Sequence, residues 1–164
     1  MKVCYPGSFD PITKGHLDII VRSSRIFDEV VVLLMDNPHK KYTFTVEERV
    51  EYIRKAVSRF DNVKVEVGSG LTVDYAAKIH AGGIIRGLRG ESDYDYELQM
   101  ATANLTLNSH IETIVLFARP QFNFLSSSVL KDITRCGGDV EDLLPAEIAE
   151  EVQKELLIRT APGH

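Results

Sequence analysis

The chain has 164 residues, which suits one domain and is short for two. Hydrophobic residues make up 44% of it and charged residues 26%, so it can bury a core. A formal charge of -5 argues against nucleic-acid or acidic-membrane binding, which needs a basic surface. Cys4 and Cys136 stand far apart without metal-type spacing, which predicts reduced thiols and no disulfide framework. The longest apolar run, Val30 to Met35, is too short to span a bilayer. Pro6, Gly7 and Asp10 break any leader-like start, so a cytoplasmic protein is expected.

Lys2 to Tyr5 reads as a first strand. From His16 to Asp28, Leu17, Ile20, Val21 and Phe27 recur at helical spacing. Val30 to Met35 has the continuous apolarity of a strand covered on both faces. After a polar loop, Asp36 to Phe44, Thr45 and Glu48 form a capping box ahead of the stripe Val46, Val50, Ile53, Val57 and Phe60. Val63, Val65 and Val67 alternate as a strand. Val73 to His80 reads as a helix ended by Gly82 and Gly83. Ile84 and Ile85 make a short strand leading into "RGLRG". Ser92 to Leu107 is predicted helical, Thr113 to Ala118 extended, and "SSSVLKDITRC" helical until Gly137. Pro145 is placed in the first turn of a closing helix, about 145–158. These alternations predict an α/β fold, residues 1–164: a single doubly wound domain with a five-stranded, mostly parallel sheet and helices on both faces. Ligands of such folds bind beyond the carboxyl ends of the strands.

Four loops in that position carry unusual residues. In "YPGSFDPITKGH", Gly7 and Ser8 follow the first strand and His16 opens the helix. Small residues admit a ligand to the backbone, and a helix N-terminus suits phosphate. The alternative is a tight turn with a merely exposed histidine. "DNPHKKYTF" sets Lys40 and Lys41 together, either as solvated lysines or as charges at the same sheet edge. In "RGLRG", Arg86 and Arg89 can fork onto phosphate oxygens or onto a nearby carboxylate among Glu91, Asp93, Asp95 and Glu97. In "FLSSSVLK", Ser126, Ser127 and Ser128 supply an N-cap and a nest for a nucleotide phosphate. An acidic chain that gathers Ser8, His16, Lys40, Arg86, Arg89 and these serines on one edge is built for a polyphosphate.

No P-loop is present and no GxGxxG follows the first strand, which disfavours a P-loop kinase and a dinucleotide dehydrogenase. No activating motif surrounds a cysteine or serine nucleophile. His39, His80, His110 and His164 have no metal-type pairing and read as surface or satisfied histidines; no protein metal site is expected.

The opening stretch, with Thr13, Gly15 and His16 in a T-x-G-H core, resembles the nucleotidylyltransferase superfamily. "IIRGLRGESDYDYELQMATAN" and "NFLSSSVLKDI" narrow the likeness to the bacterial phosphopantetheine adenylyltransferase family, over nearly the whole chain. That resemblance implies a Rossmann-like nucleotidylyltransferase fold. It also implies transfer of the adenylyl group of ATP to phosphopantetheine, giving dephospho-coenzyme A and pyrophosphate by in-line attack. By the same resemblance His16, Lys40, Arg89 and Ser8 are catalytic, Ser8 standing where the family often has threonine. Gly7, Ser8, Phe9, His16, Gly87, Arg89, Glu97 and Ser126 to Ser128 would hold ATP. Ser8, Lys40, Leu71, Thr72, Arg86 and Asn104 would contact phosphopantetheine. Thr72 falls where some relatives carry methionine, and Lys131 where more distant members place arginine. Mg²⁺ held mainly by substrate phosphates, feedback by coenzyme A and a homohexamer are further implications. An acceptor other than phosphopantetheine, or a nucleotide sensor without turnover, are the competing readings.

Overall fold

The computed structural model describes residues 1–163. Five strands, β1 (Lys2–Gly7), β2 (Glu29–Met35), β3 (Val63–Gly68), β4 (Gly83–Leu88) and β5 (Glu112–Phe117), alternate with α1 (Lys14–Ile26), α2 (Val46–Val57), α3 (Thr72–Lys78) and α4 (Glu91–Leu107). Two more α-helices, α5 (Ser127–Arg135) and α6 (Ala149–Arg159), follow among the described residues. All the strand pairings are parallel, and the order is β3-β2-β1-β4-β5. Chain order reverses between β1 and β4, the crevice where doubly wound sheets bind ligands.

The central strands are buried because both of their faces meet apolar side chains. Val3 and Tyr5 of β1, with Val30, Val32 and Leu34 of β2, point into the larger core. That core is closed by Ile20 of α1, Ile53 of α2, Leu130 of α5 and Val152 of α6. Alternate residues Cys4, Val31 and Ile84 point the other way, against Val73 and Ala76 of α3. Burial pushes the Cys4 thiol up to about 12, so it is an inert core group.

Several boundaries differ from the sequence expectation. The "RGLRG" stretch is not all loop: Arg86, Gly87 and Leu88 pair with Val115, Leu116 and Phe117 inside the sheet. The charge of Arg86 is tolerated inside the sheet because Glu97 partners it. Helix α1 starts at Lys14, so His16 is its third residue. Helix α3 ends at Lys78, and His80, two residues on, supplies with its φ of 57° the left-handed turn expected of a glycine; Gly82 instead leads into β4, which Gly83 begins. Pro145 begins a turn closed by the Ile148 N–H on the Pro145 carbonyl, and α6 starts only at Ala149. His39, His80 and His110 are exposed, and His164 lies outside the described residues.

Candidate active site

The site begins with a helix cap. Thr13 precedes α1 in extended conformation, and its hydroxyl accepts the His16 N–H at 3.4 Å. In return the Thr13 N–H donates to His16 Nδ1 at 3.0 Å. This is a capping box with imidazole in the place of the usual glutamate or glutamine. An Nδ1 that accepts from the backbone leaves the ring proton on Nε2. The ring packs edge-on against Phe9 at 5.0 Å, and Phe9 reaches it from a left-handed backbone, φ 47°. Gly7 makes room for this: a Cβ there would lie 3.1 Å from the Phe9 ring. Burial first, then the Arg89 and Arg86 charges, hold the imidazole down to about 4. His16 is therefore a neutral donor in an electropositive setting, suited to an anionic oxygen.

It faces a cavity of about 310 Å³ beyond β1 and β4. Gly7, Gly15 and His16 line one side, Arg86, Gly87 and Arg89 another, and Leu125 and Ser126 a third. Asp93 and Glu97 of α4 close it. Both arginines carry internal partners. Arg86 forks onto Glu97 with Nε and Nη2 at 2.8 and 2.7 Å, and its Nη1 reaches the Pro6 carbonyl at 3.4 Å. Arg89 meets Asp93 through Nε at 3.1 Å and the Leu125 carbonyl through Nη1 at 3.4 Å. Burial opposes ionisation of Asp93, yet the hydrogen bonds from Arg89 outweigh it and hold that carboxyl below its ordinary range. For Arg86 the sequence left a ligand and an internal carboxylate as equal alternatives; the carboxylate is present, and it is Glu97. Ser126 is the cap of α5, its hydroxyl accepting the Val129 N–H at 3.1 Å.

The cytidylyltransferase-like family model matches residues 4–133. The phosphopantetheine adenylyltransferase of Finegoldia magna is 50% identical over 153 residues, 93% of this chain and 94% of that relative. That of Heliobacterium modesticaldum is 51% identical over 144 residues, 88% and 86% of the two chains. That of Synechococcus elongatus is 50% identical over 149 residues, 91% and 90%. The chain belongs to the phosphopantetheine adenylyltransferase family.

Not every residue assigned by resemblance to this family lines the cavity. Lys40 is exposed on the loop after β2, its Nζ 5.7 Å from the Tyr42 ring. Leu71 and Thr72 stand at the head of α3, and Asn104 lies in the last turns of α4. Ser8 presents its carbonyl to Arg49 at 3.0 Å, Ser127 donates to the Pro11 carbonyl at 2.8 Å, and Ser128 is exposed.

Two buried charges escaped the sequence reading of this phosphopantetheine adenylyltransferase relative. Asp10, 4% exposed, accepts the Thr43 and Phe44 N–H groups at 2.9 Å each and Lys131 Nζ at 3.0 Å. It ties the loop after β1 to the loop after β2 and to α5. Arg49, 1% exposed, is the second. Its signal was available: a charged residue on the apolar stripe between Val46 and Ile53 must have partners, since a lone buried charge is costly.

Proposed function

We propose that this protein, read as one nucleotidylyltransferase domain, transfers the adenylyl group of ATP to phosphopantetheine, giving dephospho-coenzyme A and pyrophosphate. The observation that carries the reading is the neutral His16 Nε2 donor beside the Arg86 and Arg89 guanidiniums at the sheet's switch point. Kinship at about half identity to phosphopantetheine adenylyltransferases supports the choice of acceptor.

An oxygen of the acceptor phosphate forms a bond to the α-phosphorus of ATP, and the bond from that phosphorus to the bridging oxygen breaks. The electron pair leaves with pyrophosphate, so no protein nucleophile and no covalent intermediate are needed. Positioning and charge neutralisation lower the barrier. His16 donates to an α-phosphate oxygen without carrying charge itself. Arg89 and Lys40 offset charge gathering on the transferring and leaving groups, and Ser8 orients the attacking phosphate. Gly7, Phe9, Gly87, Glu97 and Ser126 to Ser128 hold ATP; Arg86, Leu71, Thr72 and Asn104, with Lys40 shared, hold the pantetheine side.

Among the described residues no group of three or more His, Cys, Asp or Glu side chains could cage a metal ion. Mg²⁺ would be held mainly by the substrates' phosphates, where it would supply neutralisation of phosphate charge. Coenzyme A, sharing the pantetheine arm, competes at the same site. The reaction belongs to the cytoplasm, and no helix among the described residues is long and apolar enough to cross a membrane. A homohexamer would cover Tyr94, Leu98, Leu105 and Leu107 of α4 and Phe117 of β5, which are 45–70% exposed here.

The test is a product assay with ATP, Mg²⁺ and a panel of phosphorylated acceptors. Dephospho-coenzyme A and stoichiometric pyrophosphate are expected with phosphopantetheine; ATP binding without product, or turnover only with another acceptor, overturns the reading.

A further inference from the structure

We propose that Arg49 is a positioning residue that sets the acceptor half of the site and leaves the ATP half to other elements. The inference rests on the reaction proposed above.

A guanidinium buried on the core-facing stripe of α2 is tolerable only if its N–H groups are satisfied. Beyond one bond from Nε to the Thr45 carbonyl at the cap of its own helix, at 3.3 Å, Arg49 finds those partners on both loops of the site. Nη1 donates to the Ser8 carbonyl at 3.0 Å, in the loop after β1. Nη2 pairs with Asp36 Oδ1 at 3.2 Å, where the chain leaves β2. Nε donates to the Phe44 carbonyl at 3.1 Å, where the same loop enters α2. One planar group thus pins both ends of the loop that bears Lys40, and the backbone of Ser8 as well. A lysine, with a single point of charge, cannot span these directions.

The grip extends to Lys40 itself. The Arg49 guanidinium stacks on the Tyr42 ring at 3.9 Å. The Tyr42 hydroxyl accepts the Asn37 N–H at 3.0 Å, and the Asn37 carbonyl accepts the Lys40 N–H at 3.0 Å. Stack and hydrogen bonds run from a buried charge to the exposed lysine through three contacts.

The triphosphate side is held independently. Thr13 fixes His16, Asp93 and the Leu125 carbonyl fix Arg89, and Glu97 fixes Arg86. None of these touches Arg49. Loosening Arg49 therefore releases the Ser8 backbone and the loop that bears Lys40, both of which face the attacking phosphate in this reading, and leaves the partners of His16, Arg86 and Arg89 in place.

The experiment is steady-state kinetics of wild type, Arg49→Lys and Tyr42→Phe, each substrate varied in turn, with melting temperatures recorded alongside. Arg49→Lys is expected to lower kcat/KM for phosphopantetheine by about ten- to hundredfold, while KM for ATP changes by less than about twofold. Tyr42→Phe keeps the stacked ring but removes the acceptor for Asn37, and is expected to raise KM for phosphopantetheine severalfold. A uniform loss of both substrates in folded Arg49→Lys, or unchanged phosphopantetheine kinetics, overturns the inference. If Arg49→Lys does not fold, Tyr42→Phe decides alone: unaltered phosphopantetheine KM overturns it. A wild-type protein that makes no dephospho-coenzyme A overturns the proposed reaction, and the inference with it.

Discussion

His16 and Thr13 cap one another: the Thr13 N–H donates to His16 Nδ1 at 3.0 Å while the His16 N–H donates to the Thr13 hydroxyl at 3.4 Å. The same imidazole that completes the start of α1 is thereby turned so that its proton-bearing Nε2 is free for a ligand. Structure and chemistry at this residue are separable, because glutamine also completes a capping box at that position.

His16→Gln is therefore expected to fold with a loss of no more than about 1 kcal/mol and to lower turnover on the order of 10²–10³. Denaturant unfolding beside a pyrophosphate-release assay checks both. Near wild-type turnover would contradict the donor role.

A second outcome concerns pH. Burial, reinforced by Arg89 and Arg86, holds His16 down to about 4, whereas an unfolded histidine titrates at 6.5. Between those values the unfolded chain binds a proton that the folded one refuses. Stability is then complete above the unfolded value and is lost as pH falls towards 4, by at most about 3 kcal/mol. Melting temperatures taken from neutral to mildly acidic pH should fall more steeply in wild type than in His16→Gln. Parallel curves would refute the assignment.

Glu97→Gln keeps shape but removes the charge that Arg86 grips at 2.8 and 2.7 Å. Glu97 is 8% exposed, while the Arg86 side chain retains 31%, so water screens part of the loss. The expected cost is about 1–3 kcal/mol, measured by chemical unfolding. Addition of inorganic pyrophosphate should restore more stability to the variant than to wild type, since the anion supplies the missing partner.

Gly137 terminates α5 at φ 81°, its N–H donating to the Thr134 carbonyl at 2.9 Å, with open space where a Cβ would project. Only backbone strain opposes a side chain there. Gly137→Ala should cost about 1–2 kcal/mol, a few degrees in melting temperature, with kcat unchanged. A loss of activity would tie this turn to the site.

Local features were legible from the chain itself. Val30 to Met35 declared a strand covered on both faces, Thr45 with Glu48 declared the start of α2, and the alternation of strands and helices implied a parallel sheet. Such signals reside within a few residues, where periodicity and caps act. The T-x-G-H core marked His16 as near a helix start, but nothing in its neighbours said which ring nitrogen the cap consumes.

Other features depended on which strands became neighbours. The five strands assemble with β4 beside β1, and that adjacency carries Arg86 to the Pro6 carbonyl and both arginines to the field around His16. Glu97 was only one of four nearby carboxylates until α4 folded over β4 and aimed it at Arg86. Arg49 reaches across 41 residues to Ser8, and Lys131 across 121 to Asp10. Periodicity within a helix tells which face turns inward; it does not tell what waits there. Desolvation and partner choice are sums over elements distant along the chain, so they exist only once the sheet has closed.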